Sequence, residues 1–277
     1  MSDQVKTAFE KSIDEGERRV GRTWPALLAT GAVGGIDVSI GVLAMLLVLH
    51  ATGNEMLAAL AFGIGFVALT LAGSELFTEN FLVPVTAVVA GKSSIRGLLR
   101  LWAGTAAANM VGGWVFTGLV ILGFPELRAP AVTVGTHYAS LGYTAQAFAA
   151  GIVGGASITL MTWMERGTDS VPGKIVAAMV IGFLLAGAKM NHAIVMSLTM
   201  FAALHVGAPF GYLDWLGAAS FAALANMLGG MGLVTVLRLV QVGRARVEAE
   251  RRRAPGEPRK DENEPDDEGG GLIVVNQ

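Results

Sequence analysis

The sequence predicts an all-α integral membrane protein with six transmembrane spans, arranged as two related three-helix units. Its 277 residues are 53% hydrophobic and 15% charged, and the mean hydropathy is +0.56. This balance is typical of membrane proteins. Two glycine-rich elements each occur twice, and two long apolar runs each contain one polar break. A duplicated membrane unit with a matching break in each copy is typical of transport proteins.

Six apolar stretches account for the predicted spans, since a membrane helix needs about 20 residues. They cover roughly residues 25–49, 55–90, 99–123, 143–164, 174–206 and 212–241. The second and fifth are too long for one span, so we predict that spans 2 and 5 are each broken at mid-membrane by a non-helical loop. Such a loop is tolerated only where protein buries it or where it lines a cavity.

The duplication is carried by three pairs of segments. The glycine-rich pairs are Gly31-Ala32-Val33-Gly34-Gly35 with Gly151-Ile152-Val153-Gly154-Gly155, and Ala108-Asn109-Met110-Val111-Gly112-Gly113 with Ala225-Asn226-Met227-Leu228-Gly229-Gly230. The polar breaks at 73–80 and 187–192 form the third pair. Because each copy has an odd number of spans, the second must be inverted. We predict that Asn109 and Asn226 support the loop backbone, while the glycines allow close helix packing.

Basic residues predict the orientation, because loops rich in lysine and arginine stay in the cytoplasm. They lie before the first span, between the second and third, between the fourth and fifth, and after the sixth: Arg18, Arg19, Arg22, Lys92, Arg96, Arg100, Arg166, Lys174, Arg238, Arg244 and Arg246. The opposite loops carry only Arg128. We therefore predict a multi-pass protein of the cell (inner) membrane with both termini in the cytoplasm.

The chain divides into three predicted regions. Residues 1–23 are polar, but Val5, Phe9 and Ile13 recur every fourth residue, which favours a cytoplasmic amphipathic helix on the membrane surface. Residues 24–242 form the six-span channel domain. Residues 243–277 are rich in arginine, acidic residues, proline and glycine, a composition that predicts a disordered, charged cytoplasmic tail.

The two breaks contain the candidate site. An inverted repeat brings them face to face, with the N-terminus of a half-helix from each copy pointing at the centre, where its partial positive charge suits an anion. Thr78 and Asn191 can hydrogen-bond a carboxylate. His192 is the strongest candidate, because an ionisable residue within a membrane span is a functional candidate by default. A histidine there could hold an anion or transfer a proton to it.

Three of these segments resemble one family. The segment Gly73-Ser74-Glu75-Leu76-Phe77-Thr78-Glu79-Asn80 resembles the Glu-Leu-Phe-Thr loop of the formate/nitrite transporter family, Asn191-His192 its central-histidine loop, and Ala225-Asn226-Met227-Leu228-Gly229-Gly230 its sixth-helix element. The resemblance implies an aquaporin-like fold and a homopentamer with one pore per subunit, which passes small monovalent anions or their acids. It also implies that Thr78 meets the substrate, that His192 is the central histidine and that Phe77 is an apolar constriction.

Charged residues depart from the family pattern. Glu79 replaces a small residue, Asp37 lies in the first span, and Lys189 precedes the histidine where the family is usually neutral. Together with Glu75, which we predict supports the loop, they need partners, because an unpaired charge at membrane depth is costly. Glu79 and Lys189 could complement local helix dipoles. Alternatively, Lys189 could attract anions in place of the vestibule lysine that this chain lacks.

We therefore predict a channel or transporter for small monovalent weak-acid anions, proton-coupled through His192, with the anion, a proton and the lipid bilayer as its partners. The alternative is a neutral-solute pore of the same fold that conducts water or a small alcohol. A membrane-embedded enzyme is disfavoured, because the chain has no cysteine and four histidines with no cluster; an assembly protein that acts through its tail is a third hypothesis. No cofactor, metal site or nucleic-acid partner is predicted.

Overall fold

The computed structural model describes residues 2–254, and the regular structure within them is entirely helical. The α-helices are α1 (Asp3–Val20), α2 (Trp24–Thr52), α3 (Glu55–Ala72), α4 (Val83–Val89), α5 (Ile95–Gly123), α6 (Arg128–Ser140), α7 (Ala145–Arg166), α8 (Val171–Gly187), α9 (Ala193–Leu204), α10 (Tyr212–Met227), α11 (Val236–Val242) and α12 (Arg244–Arg252). Two 3-10 helices, Phe77–Phe81 and Pro125–Leu127, and one π-helix, Leu228–Thr235, lie between them.

Five continuous helices in the described part of the chain are long and apolar enough to cross a membrane. They are α2, α3, α5, α7 and the run Tyr212–Val242 that joins α10 to α11. Three shorter apolar helices are Phe77–Val89, Val171–Gly187 and Ala193–Leu204. The second predicted stretch thus consists of α3 followed by a shorter helix, and the fifth consists of α8 and α9.

Residues with a left-handed backbone mark the places where α3 and α8 stop. Gly73 follows α3 with φ of +69°, a conformation that glycine adopts without steric cost. After α8, the left-handed position belongs to Lys189, with φ of +48°. A non-glycine residue there is uncommon, and its backbone turns the chain out of α8 and toward His192.

The repeated glycines are the points of closest helix contact. A Cβ on Gly35 of α2 would lie 2.1 Å from the Asn109 carbonyl oxygen of α5, and one on Gly155 of α7 would lie 2.1 Å from that of Asn226. Both pairs of backbones approach so closely that no larger residue fits. The two glycine-rich copies therefore have the same structural role. Gly35 allows α5, which carries Asn109, to approach α2, and Gly155 allows α10, which carries Asn226, to approach α7.

The main apolar core encloses the segments that follow α3 and α8. It contains buried side chains from both of them and from α3 itself: Leu76, Phe77, Phe81, Met190, Ile194, Val195, Phe62 and Phe66. Residues 74–81 and 190–192 are therefore buried in the interior of the fold rather than in surface loops.

The apolar face of the N-terminal helix packs against other helices of the protein. Phe9 and Ile13, which the sequence predicts to face lipid, are fully buried in a cluster with Leu82, Val83 and Trp163. The predicted periodicity is present in α1, but its apolar face has a protein partner because α4 and the end of α7 supply a matching apolar surface.

The predicted disordered tail is wrong for its first part, since residues Arg244–Arg252 form α12. This short helix is held by contacts that composition does not reveal. Arg246 pairs with Glu10 of α1 at 2.5 Å, Arg251 donates to the Val89 carbonyl oxygen at 2.7 Å, and Val247 packs on the cluster beneath α1. The rest of the predicted tail, 255–277, lies outside the described residues.

Candidate functional site

Thr78 and His192 are in direct contact. The Nε2 atom of His192 lies 2.9 Å from the Oγ1 atom of Thr78, and both side chains are fully buried. Thr78 belongs to the 3-10 helix after α3, whereas His192 is the residue immediately before α9. One hydrogen bond thus joins the two segments in which the predicted breaks lie.

The local geometry fixes the tautomer of His192. Its Nδ1 atom accepts a hydrogen bond from the backbone N–H of Val195 at 3.3 Å and so caps the start of α9. An atom that accepts in this way carries no proton, so the neutral ring carries its proton on Nε2. The Nε2–H group therefore donates to Thr78, which leaves the Thr78 hydroxyl proton available to another acceptor.

Two asparagines hold the two segments in the same way. The Asn109 amide donates to the carbonyl oxygens of Gly31 and Glu75 at 2.7 and 3.0 Å and accepts from the Phe77 N–H at 2.8 Å.

The Asn226 amide donates to the carbonyl oxygens of Gly151 and Asn191 at 2.7 and 3.0 Å and accepts from the Ala193 N–H at 2.8 Å. Both asparagines are fully buried. Each therefore ties a helix interior, at Gly31 of α2 or Gly151 of α7, to backbone groups that the end or start of another helix leaves without partners.

These hydrogen bonds correct the correspondence between the two breaks. The sequence pairs Gly73 with Gly187, which places Glu75 opposite Lys189. The asparagine contacts instead place Glu75 opposite Asn191. His192 then corresponds to Leu76 and Thr78 corresponds to Ile194, so each copy contributes its polar residue at a different position.

Two backbone amides complete the polar surface around the contact. Within residues 2–254, neither the N–H of Thr78 nor that of Ile194 has a hydrogen-bond acceptor. Both belong to the first turn of a helix, where N–H groups have no acceptor within the helix. Both residues are fully buried, so a ligand or water that reaches them would find two unpaired donors.

The acidic residues of the first segment are paired with α1. The two carboxylate oxygens of Glu75, which is fully buried, lie 2.5 Å from Nη1 of Arg22 and 3.0 Å from Nε of Arg19. Arg19 is itself 3% exposed and also donates to Oδ1 of Asn80 at 3.0 Å. Arg19 at the end of α1 and Arg22 just after it therefore supply the charges that allow a buried glutamate near Thr78.

Glu79 and Asp37 are also satisfied locally. The Glu79 carboxylate accepts the Leu76 N–H at 2.9 Å and lies 3.9 Å from Nη1 of Arg19. Asp37 accepts the hydroxyl proton of Ser74 at 2.5 Å. Both acidic residues therefore hold the backbone or side chains of the 73–80 segment.

Glu15 links this cluster to the surface of α1. Burial favours a higher pKa for Glu15, but hydrogen bonds from Arg18 and Arg19 and the charge of Arg19 outweigh it and hold the pKa at about 2. Because the folded-state pKa lies below the ordinary 4.5, ionised Glu15 stabilises the fold above that pH. This contribution is lost as the pH falls towards 2.

A cavity of about 560 Å³ lies at one end of α3. Its polar side chains include His50, Glu55, His137 and Lys189. Lys189 is partly exposed and pairs with Glu55 at 2.9 Å. Burial, followed by the charge of Lys189, lowers the pKa of His137, which favours its neutral form.

A second cavity, of about 200 Å³, lies at the other end of α3. It is lined by charged residues of α1, α7, α8 and the 73–80 segment: Glu15, Arg18, Arg19, Glu79, Glu165, Arg166 and Lys174. Glu165 accepts the hydroxyl proton of Thr70 at 2.8 Å. Both cavities therefore border α3 and α8, one at each end of these helices.

The remaining predicted site residues lie beside the central contact. Phe77 is 9% exposed and packs edge-on against Phe81, with ring centres 5.0 Å apart. The Asn191 side chain donates to the Ala147 carbonyl oxygen at 3.2 Å. No group of metal-ligating side chains comes together in the part of the chain that the structure describes.

Several supporting residues were missed by sequence reasoning. From the sequence, Arg19 and Arg22 indicate only the orientation of the chain. Trp102 and Thr235 donate hydrogen bonds to the carbonyl oxygens of Asn80 and Phe81, at 2.9 and 2.8 Å. Nothing in their local sequence indicates this role, because their partners are backbone atoms more than 20 residues away in the chain.

We expect Asn226→Asp to destabilise the protein. The substitution keeps an acceptor for Ala193 but removes the donors to Gly151 and Asn191. Gly151 lies within α7, whereas the Asn191 carbonyl is left without a partner, which costs about 1–3 kcal/mol. The matched control is Asn54→Asp, because Asn54 only accepts, from Met56 and Leu57 at the start of α3. Thermal unfolding in detergent should show a large loss for the first variant and little change for the second. Equal losses would refute the loop-clamp role.

Comparison with known proteins gives one family match and several relatives. Residues 6–240 match the model of the formate/nitrite transporter family. The formate channel BtFdhC of Bacillus thuringiensis is 29% identical over 251 residues, which is 81% of this chain and 90% of the relative. The inner membrane protein YfdC of Escherichia coli strain K12 is 25% identical, over 82% of this chain and 76% of the relative.

Solved structures show the same fold. An FNT family ion channel superposes with a TM-score of 0.73 at 19% identity, over 83% of this chain and 96% of that one. A pentameric formate channel with formate bound gives a TM-score of 0.65 at 19% identity, over 79% of this chain and 97% of that one. With a family match across most of its length, this chain is a multi-pass membrane protein of a family of transporters rather than enzymes, and it belongs to the formate/nitrite transporter family.

Proposed function

We propose that this protein is a channel or facilitated transporter for small monovalent weak-acid anions of the formate type, and that the anion passes between Thr78 and His192. The observation that carries the proposal is the buried Nε2–Oγ1 contact of 2.9 Å, which joins the two segments at the start of two helices. Family membership and the similarity to a formate channel support the same class of substrate.

The donors around this contact favour an anion. The Thr78 hydroxyl and the backbone amides of Thr78 and Ile194 are hydrogen-bond donors. The start of α9 adds the positive end of a helix dipole. Glu79 does not oppose them, because Arg19 and the Leu76 N–H occupy its carboxylate. An anion that leaves water thus gains hydrogen bonds in place of hydration.

The two cavities form the mouths of the proposed pore. An anion enters the larger one beside Lys189, reaches His192 and Thr78, and leaves through the smaller one beside Lys174. Residues 24–242 form the channel. Six spans in an inverted repeat with both termini in the cytoplasm agree with the matched asparagine contacts and with the basic residues at one end. One pore in each subunit of a homopentamer agrees with the pentameric formate channel of similar fold.

Proton coupling in this proposal uses His192 and Thr78 as a relay. A proton from water binds Nδ1 and displaces the Val195 amide. The Nε2 proton then passes to Thr78 Oγ1, and the Thr78 hydroxyl proton passes to the anion. The products are a neutral acid and a neutral histidine that carries its proton on Nδ1. Exchange of that proton with water restores the resting form with the proton on Nε2, and the neutral acid crosses the apolar part of the pore without the cost of desolvating a charge.

Purified protein in liposomes tests the proposal. We expect a formate gradient to drive uptake of labelled formate with co-transport of protons, measured by a trapped pH dye. Empty liposomes and His192→Asn liposomes are the controls. If osmotic swelling shows rapid water or glycerol flux while formate uptake equals that of empty liposomes, the neutral-solute pore is correct and the anion proposal is wrong.

Lys189 provides a prediction about anion capture. We expect Lys189→Gln to slow formate uptake about two- to fivefold at low salt, because the larger mouth loses its attracting charge. Glu55→Gln should have the opposite effect, since it frees Lys189 from its partner. Salt should weaken both effects. If both variants transport like the wild type at low ionic strength, Lys189 is a purely structural residue.

A further inference from the structure

A groove of about 360 Å³ lies between α7 and the run from the π-helix to α11, apart from both cavities of the proposed pore. Its apolar lining consists of Val153, Ala156, Leu160, Leu233, Val234 and Leu237, and Arg238 and Gln241 line one end. The two helices run in the same direction and touch at Gly229, where a Cβ would lie 1.9 Å from the Ile152 carbonyl oxygen.

Away from the end that carries Arg238 and Gln241, the polar side chain of the lining is Ser157. Its hydroxyl donates to the Val153 carbonyl oxygen at 2.8 Å. Leu233 and Leu237 are more than half exposed. Such a surface favours a flexible apolar chain over a polar ligand.

Arg238 places a positive charge at the end of the groove. Its guanidinium lies 5.1 Å from the ring centre of Trp163, and its Nη1 donates to Gln241 at 2.8 Å. Among residues 2–254 it has no carboxylate partner, in contrast to Arg19 and Arg22. Trp163 and Gln241 thus hold the guanidinium in place and leave donors available to an external anion.

We propose that this groove binds an anionic phospholipid, with one acyl chain along the apolar lining and the phosphate on Arg238. The orientation rests on the proposed function, which places the end of α11 at the cytoplasmic surface, where basic side chains meet anionic lipid headgroups. An apolar channel that ends in a guanidinium with no carboxylate partner among residues 2–254 matches the two parts of a phospholipid. For a second copy of the protein to fill the groove equally well, its surface has to supply both an apolar ridge and a carboxylate.

Native mass spectrometry of the full-length protein, titrated with phosphatidylglycerol or phosphatidylcholine, tests this site. We expect phosphatidylglycerol to bind in preference, and Arg238→Gln to weaken its binding about fivefold, as expected for one basic residue at an anionic lipid surface. Arg244→Gln is the matched control, because Arg244 is exposed and does not line the groove. Equal losses in the two variants would show diffuse surface attraction and overturn the proposal.

Two further measurements keep the result unambiguous. The chain contains no cysteine, so Leu237→Cys introduces a single thiol. A disulfide between copies of this variant would show that the groove is a subunit contact, which also overturns the proposal; protection of the thiol by added phosphatidylglycerol supports it. Formate uptake is measured separately. Loss of lipid preference with normal uptake rejects only the lipid site, and absence of uptake with intact lipid preference rejects only the transport function.

Discussion

Replacing His192 with asparagine is expected to abolish the pH dependence of transport while the fold survives. Asparagine is a good residue at the start of a helix, so it can replace Nδ1 as the acceptor for the Val195 N–H. It has no titratable proton, and its shorter side chain does not span the 2.9 Å contact to Thr78. Loss of a hydrogen bond to a charged group costs about 1.5–3 kcal/mol, so we expect a ten- to hundredfold fall in proton-coupled uptake.

Formate uptake between about pH 5 and 8 decides this prediction. Thr78→Ser and Thr78→Val form the matched pair, because serine keeps the hydroxyl of the relay and valine keeps only the shape. We expect the serine variant to retain the wild-type pH profile and the valine variant to behave like His192→Asn. Identical profiles for the wild type and His192→Asn would leave the histidine with a helix-capping role alone.

The second large effect is expected for Arg19→Met. This change leaves Glu75 and Glu79 buried, with Arg22 as the close partner of Glu75 and no arginine within 4 Å of Glu79 in the part of the chain described here. Removing one partner from a buried ion pair costs about 3–5 kcal/mol, a large part of the stability of a typical domain. We expect little assembled protein in the membrane and a strongly lowered unfolding temperature.

Arg18→Met is the control, because Arg18 is largely exposed and pairs with Glu15 at the surface of α1. Surface pairs contribute about 0–1 kcal/mol. A triple variant in which Glu75 and Glu79 also become glutamine should recover much of the lost stability, since the uncompensated charges are gone. If Arg19→Met and Arg18→Met are equally mild, the network does not hold the 73–80 segment.

Sequence reasoning singled out the segments that meet in the structure because their chemistry is local. Glycine marks the ends of α3 and α8, and the repeated asparagines stand out against apolar surroundings. The partners could not be predicted, because they depend on which helices meet. The offset between the two copies, with His192 opposite Leu76 and Thr78 opposite Ile194, became visible only from the contacts of Asn109 and Asn226.

The two ends of the chain show a second limit of sequence reasoning. The period of Phe9 and Ile13 predicts an apolar face, but periodicity does not distinguish a lipid surface from a protein surface. Similarly, the arginines after residue 243 indicate a solvated tail by composition. In the structure, Arg246 and Arg251 have specific partners on α1 and α4, and these contacts convert a polar segment into a docked helix.

The position of α1 has a consequence for synthesis of the protein. This helix is made before every element that covers it, since its contacts come from residues 82–90, from Trp163 and from Val242 and Val247. Until residues 82–90 have been made, Phe9 and Ile13 can be covered only by the membrane surface or by a chaperone. A chain that stops before Trp163 lacks part of the cover of this face, so the packing of α1 is completed only when the later helices have been made.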